Sequence, residues 1–186
     1  MSLRVVVALA LLVSLLALAP VAAQQAPARQ PDVVFVPTPS DVVDGMLKLA
    51  KVTSNDVVYD LGSGDGRIVI AAAKSVGARG VGIDIDPERT REATANARAA
   101  GVGDKVMFVT DDVLTADITP ATVVMLYLSP SFNSRLAPKL MKELKPGTRV
   151  VSHAFDIPGW KPQQRLVVSD RPLFLWIVAP PPSGRR

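Results

Sequence analysis

Asp60-Leu61-Gly62-Ser63-Gly64-Asp65-Gly66-Arg67 follows directly on the apolar run Val57-Val58-Tyr59. A strand that ends in an acid and enters three alternating glycines makes a turn whose main chain no side chain covers, because glycine accepts φ > 0 and close ligand approach. The next segment, Arg67 to Ser75, is apolar and helix-permissive. The turn therefore feeds a helix N-terminus with unpaired N–H groups, the arrangement that receives a nucleotide-like ligand. Dinucleotide loops space their glycines Gly-x-Gly-x-x-Gly, and phosphate-cradling loops end in Gly-Lys-Ser/Thr. Here the spacing is Gly-x-Gly-x-Gly, with Asp60 before it and Asp65 inside it. Two carboxylates would repel a pyrophosphate. They suit a ligand that carries cationic groups, and they weigh against a nicotinamide-dependent oxidoreductase.

Working outward, the chain alternates short apolar runs with helical patterns. Val33 to Pro39 reads as extended, because Pro37 and Pro39 bias their predecessors away from helix. Ser40 is placed to cap a helix carrying Val43, Met46, Leu47 and Ala50 at i, i+3, i+4, i+7. Strands are predicted at Val57 to Leu61, Gly80 to Asp84, Val106 to Val109, Val123 to Leu128 and Thr148 to Ser152. Asp86-Pro87 starts a helix that Gly101 stops, and a further helix runs from about Phe132 to Leu144. Beyond Ser152 the connection is too short and proline-rich for a crossover helix. Arg165 to Val168 and Leu173 to Val178 must therefore pair antiparallel across a turn at Ser169 to Pro172. The predicted fold is α/β: a Rossmann-like, doubly wound, mostly parallel seven-stranded sheet with a C-terminal antiparallel hairpin.

In such sheets ligands bind beyond the carboxyl ends of the strands. Three consecutive strand ends carry acids there: Asp60, Asp84 and the pair Asp111-Asp112. Asp84 lies 20 residues beyond Gly64, the separation at which an acid reaches a ribose hydroxyl. Asp86 reads as the cap of the next helix. A carboxylate at the third strand end can accept from an adenine amino group.

With its flanks, Asp-Leu-Gly-Ser-Gly-Asp-Gly-Arg resembles motif I of class I S-adenosylmethionine (SAM)-dependent methyltransferases. The resemblance implies SAM as cofactor, held by Thr38, Asp60, Gly62, Ser63, Gly64 and Asp84. Asp60 would lie near its methionine end and Asp84 at its ribose. The family pattern of an acid, a small residue and Leu matches Asp112-Val113-Leu114, which favours Asp112 over Asp111 at the adenine. Leu128-Ser129-Pro130 lacks the Asn/Asp-Pro-Pro-Tyr/Phe of DNA-amino methyltransferases. It resembles instead the ATP synthase c-subunit lysine methyltransferase group and, more distantly, the Dot1-like histone group. The likeness to the former spans Phe35 to about Phe155, and includes Phe35-Val36-Pro37-Thr38 and Gly147 to His153. It departs at Tyr127 to Pro130. By this resemblance Pro37-Thr38 folds over the cofactor, although the dipeptides also read as local punctuation of the chain.

The implied activity is N-methylation of a protein lysine or another amine. A small-molecule or lipid-linked acceptor, and a non-catalytic SAM-binding module, remain as alternatives. Tyr127, Ser129, Pro130 and Phe155 are candidates for the acceptor pocket. His153, the sole histidine, and Tyr127 are the catalytic candidates, against a purely structural role for a lone histidine. Trp160 and Trp176 read as packing residues, with Trp160 a possible cover for the pocket.

The chain has 186 residues and a formal net charge of +4, which is enough for one core and short of a dedicated nucleic-acid surface. No nucleic-acid partner and a monomer are expected. Without cysteine, and with one histidine, thiolate and multi-histidine metal sites are excluded. Residues 1–23 read as a signal peptide: Arg4, an apolar stretch from Val5 to Ala19, then Val21-Ala22-Ala23. The alternative is a membrane anchor through residues 5–19. Either places the protein outside the cytosol (secreted, periplasmic or anchored), whereas a start assigned too early makes it cytoplasmic. Residues 24–32 read as linker, 33–179 as the SAM-binding domain and 180–186 as a disordered tail.

Overall fold

The structure, a computed structural model, describes residues 35–180. The expectations for the signal, the linker and Val33-Val34 fall outside the described residues, as does the tail beyond Pro180. No described helix is long and apolar enough to cross a membrane.

The elements run α1 (Ser40–Leu49), β1 (Val57–Leu61), α2 (Arg67–Val76), β2 (Arg79–Asp84), α3 (Pro87–Ala99), β3 (Val106–Thr110), β4 (Val123–Leu126), α4 (Pro130–Glu143), β5 (Arg149–His153), β6 (Gln164–Val168) and β7 (Arg171–Ile177). They form one seven-stranded sheet in the order β3-β2-β1-β4-β5-β7-β6. Strands β1 to β5 are parallel, and β7 and β6 are antiparallel to their neighbours. The carboxyl ends of all five parallel strands therefore share one edge of the sheet.

Both faces are covered, as the continuous apolar run of β4 requires. Val123 and Met125 pack with Val42, Met46, Val69 and Ala97 from α1, α2 and α3. Val124 and Leu126 pack with Phe132, Leu136 and Leu140 of α4, and with Ile118 in the β3–β4 connection. That connection contains no helix, so turns of the chain cover the sheet there.

Local differences from the sequence reading have identifiable causes. Pro39, with φ −59° and ψ 150°, is the last non-helical residue, so Ser40 stands inside α1 and makes no side-chain cap. Strand β4 ends at Leu126, and α4 starts at Pro130, two residues before the expected Phe132, because Ser129 accepts from the Phe132 N–H and proline fits the first helical position. The hairpin turn holds only Ser169 and Asp170, both at positive φ. That geometry matches the twist of a two-residue hairpin, so β7 begins at Arg171.

At the opposite, amino edge of the sheet, Asp56 pairs with Arg149 and accepts from the Thr122 hydroxyl at 2.7 Å and the Thr53 N–H at 2.8 Å. Burial pushes Asp56 up, but these donors prevail and hold it below the usual carboxylate range.

Candidate active site

The glycine loop is fastened to β2 before any ligand is considered. The N–H groups of Gly62 and Ser63 both donate to the Ile83 carbonyl, at 2.8 and 3.0 Å. The Gly64 N–H donates to one oxygen of Asp84 at 2.8 Å, and the Asp86 N–H donates to the other at 3.0 Å. Asp84 thus has both oxygens fixed in direction. Asp86 caps α3 through the Glu88 N–H at 2.7 Å. Gly64 has φ +52°, and a Cβ on it would lie 2.1 Å from the Phe35 ring. The absence of a side chain at Gly64 is what lets residues 35–39 lie across the loop.

This strap is stapled at three points. Phe35 covers Gly64, the Thr38 carbonyl accepts from Arg67 Nη1 at 2.9 Å, and Thr38 Oγ1 lies 3.3 Å from His153 Nδ1. Arg67 also holds Asp65, with its Nη2 2.5 Å from Oδ2. Burial raises Asp65, but the Arg67 guanidinium outweighs it and keeps the carboxyl below its ordinary value. Arg89 stands over the Phe35 ring, 5.1 Å from its centroid.

Beneath the strap lies a pocket of about 510 Å³, lined by residues that include Thr38, Asp60, Gly62, Ser63, Asp84, Asp111, Asp112 and Tyr127. Asp60 is buried in its wall at 3% exposure. Burial first, then the nearby Asp84 and Asp65 carboxylates, push its pKa well above the ordinary carboxylate value. A buried carboxylate beside two like charges is stabilised by a cation that enters the pocket. At the third strand end, Asp111 accepts from the Asp112 N–H at 2.7 Å and Asp112 from the Leu114 N–H at 2.9 Å.

Among the cofactor candidates, Gly64 lies off the lining, under Phe35. Among the acceptor candidates, only Tyr127 reaches the pocket wall. Ser129 caps α4, and Pro130 occupies its first turn. Phe155 is exposed and stacks near Tyr127, with centroids 6.3 Å apart. His153 is buried at 1% exposure behind Tyr127, ring to ring at 3.9 Å, and does not line the pocket. Burial, and then Arg171, lower its pKa to about 4. Trp160 packs on Trp176 and accepts its indole N–H on the main chain at 2.7 Å. Sequence reasoning missed Arg67 and Arg89, because an arginine next to a glycine turn carries no signal of which carbonyl or ring it will meet.

The chain matches the profile of the family described as ANTKMT methyltransferase domain over residues 60–164. A protein-lysine N-methyltransferase from Saccharolobus islandicus is 51% identical over 75% of this chain and 88% of its own length. The human ATP synthase c-subunit lysine N-methyltransferase is 32% identical over 69% of this chain, which spans 54% of that protein. The chain thus covers about half the length of the vertebrate relatives. In structure it is similar to an RNA methyltransferase from Salinibacter ruber crystallised with S-adenosyl-L-homocysteine (SAH). That similarity has a TM-score of 0.77 and 52% identity, covering 80% of this chain and 98% of that one.

Proposed function

We infer the function from one premise: this chain belongs to the ANTKMT methyltransferase domain family, and it is a SAM-dependent methyltransferase. We propose that its acceptor is the side-chain amine of a protein lysine. The observation that carries the cofactor half of this reading is Asp60, a buried carboxyl pressed by two other acids in the pocket wall. The acceptor half rests on the names of the lysine-methylating relatives.

The residues present fit the cofactor. Asp60 would hold the amino group of its methionine portion, Asp84 the ribose hydroxyls and Asp112 the adenine amino group, with Asp111 beside it. Thr38 and the strap would close over the methionine end. When bound, SAM supplies an electrophilic methyl group, which an amine lone pair takes as the carbon–sulfur bond gives its electrons to sulfur. The chain's own contribution is to orient and to exclude water. The strap and Tyr127 narrow the pocket where the acceptor must arrive. Limited hydration there favours an uncharged lysine amine, whose proton passes to solvent before transfer.

The names of the Saccharolobus islandicus and human relatives support a protein lysine as acceptor; that of the Salinibacter ruber relative points to RNA. Tritiated SAM incubated with the protein and fractionated lysate separates the two. The lysine reading predicts label that protease releases and nuclease does not, recovered as methyl-lysine and reduced with Asp60→Asn. Label in RNA, a lipid or a small molecule contradicts it. We also propose that residues 1–23 direct export or anchor the chain through residues 5–19. A fusion to a reporter active only outside the cytosol tests this, and a silent reporter would assign the protein to the cytoplasm.

A further inference from the structure

Behind Tyr127 lies a constellation that the cofactor site does not use. His153 ends β5, and its buried ring touches two pocket-lining residues from different parts of the chain: Tyr127 by stacking at 3.9 Å, and Thr38 of the strap through Nδ1 at 3.3 Å. Its Nε2 has no hydrogen-bond partner among the described residues. The next residue, Ala154, has φ +67°, and the Phe155 N–H folds back onto the His153 carbonyl at 2.8 Å. A non-glycine residue in that region is strained, and it persists only where its surroundings over-determine it. The turn sends the Phe155 ring back toward Tyr127, 6.3 Å away and inclined by 16°.

We propose that His153 is a positioning residue for methyl transfer: a buried ring that ties the strap to the end of β4 and holds Tyr127, beside Phe155, as an aromatic wall for the acceptor amine. The inference rests on the amine-acceptor reading above. His153 reaches the pocket only through Thr38 and Tyr127, so it touches neither cofactor nor acceptor. A base with a pKa of about 4 is also far too weak to strip an ammonium whose ordinary value is near ~10.4. Staying neutral has its own consequence. A cation behind Tyr127 would oppose the pull of that ring on an arriving ammonium, whereas a neutral ring leaves it intact. Arg171 is the charged group that acts on the imidazole. As an arginine it stays protonated throughout the working pH range, so it opposes a charge on His153 at every pH used.

The test compares His153→Phe, which keeps a stacked ring, with His153→Gln, which keeps a partner for Thr38, and with His153→Ala. SAM affinity is read by calorimetry, and transfer by tritiated SAM with poly-L-lysine as acceptor. The phenylalanine variant should lose no more than about threefold in kcat. The alanine variant should fall about tenfold or more in kcat/KM for poly-L-lysine, with a smaller loss of SAM affinity and glutamine in between. A phenylalanine variant as inactive as the alanine one, with SAM still bound, would place the effect on the ring nitrogen, through Thr38 or a proton step, and overturn the aromatic wall. So would a fully active alanine variant. If alanine fails to fold, the order of phenylalanine and glutamine still decides, since the proposal requires phenylalanine to be the faster. A wild type that binds SAM yet leaves poly-L-lysine unlabelled removes the amine wall and the lysine acceptor together; failure of the variants alone leaves the acceptor standing.

Discussion

Replacing Asp60 by asparagine should move ligand affinity and stability in opposite directions. In the wild type, burial and the Asp84 and Asp65 carboxylates raise the pKa of Asp60 above its unfolded value. The folded state therefore holds that proton more tightly than the unfolded chain does. Stability declines as pH rises from the ordinary carboxylate value through the raised one, so the ionised group is a burden on the fold. Asparagine removes the charge at nearly constant shape, so the ligand-free protein should melt at an equal or higher temperature. SAM affinity should fall. A charge-assisted hydrogen bond between an ammonium and a carboxylate contributes about 1.5–3 kcal/mol, which is roughly a tenfold to 150-fold rise in Kd. Calorimetric titration measures this, with 5′-methylthioadenosine as a second ligand that lacks the amino-acid portion. Its affinity should stay within about threefold, since it makes no use of Asp60. Unchanged SAM affinity, or equal losses for both ligands, would refute the assignment of Asp60 to the ligand cation.

Other outcomes follow from the same structure. His153 has a pKa of about 4 in the fold against 6.5 for a free side chain, so its contribution is complete above 6.5 and is lost as pH falls toward 4. That loss is on the order of 3 kcal/mol; urea unfolding at several pH values should show it in the wild type and not in His153→Phe. Arg149→Met strips Asp56 of its ion-pair partner at the amino edge of the sheet. It should lower unfolding free energy by about 3 kcal/mol while SAM affinity in the folded protein stays the same. Gly64→Ala places a Cβ against the Phe35 ring at a φ of +52°, which should weaken SAM binding and lower the melting temperature. Adding Phe35→Ala should relieve the clash but not the backbone strain of about 1–2 kcal/mol, so a double-mutant cycle should show coupling.

The fold was legible because hydrophobic period and turn chemistry agreed along most of the chain. The unbroken apolar run of β4 reads as a strand buried on both faces, and it is. The shortness of the segment after His153 forces an antiparallel C-terminal pair. Boundaries were harder. Phe132 begins the apolar helical pattern of α4, yet proline geometry starts that helix at Pro130. In the site, the acids at strand ends were legible because their register follows from the sheet itself. The strap's anchorage was not. That Arg67 would reach the Thr38 carbonyl, 29 residues away in sequence, depends on how α1 packs beside the loop. The setting of His153 was equally hidden, since position at the end of β5 does not say whether the ring turns toward the pocket or behind Tyr127.

A crystal structure of the protein with SAH bound is the most direct test of the central claim. The account predicts the ligand's amino group on Asp60, its ribose hydroxyls on Asp84 and its adenine beside Asp112, with Phe35 to Thr38 lying across it. A ligand seated elsewhere, or one whose amino group turns away from Asp60, would contradict it.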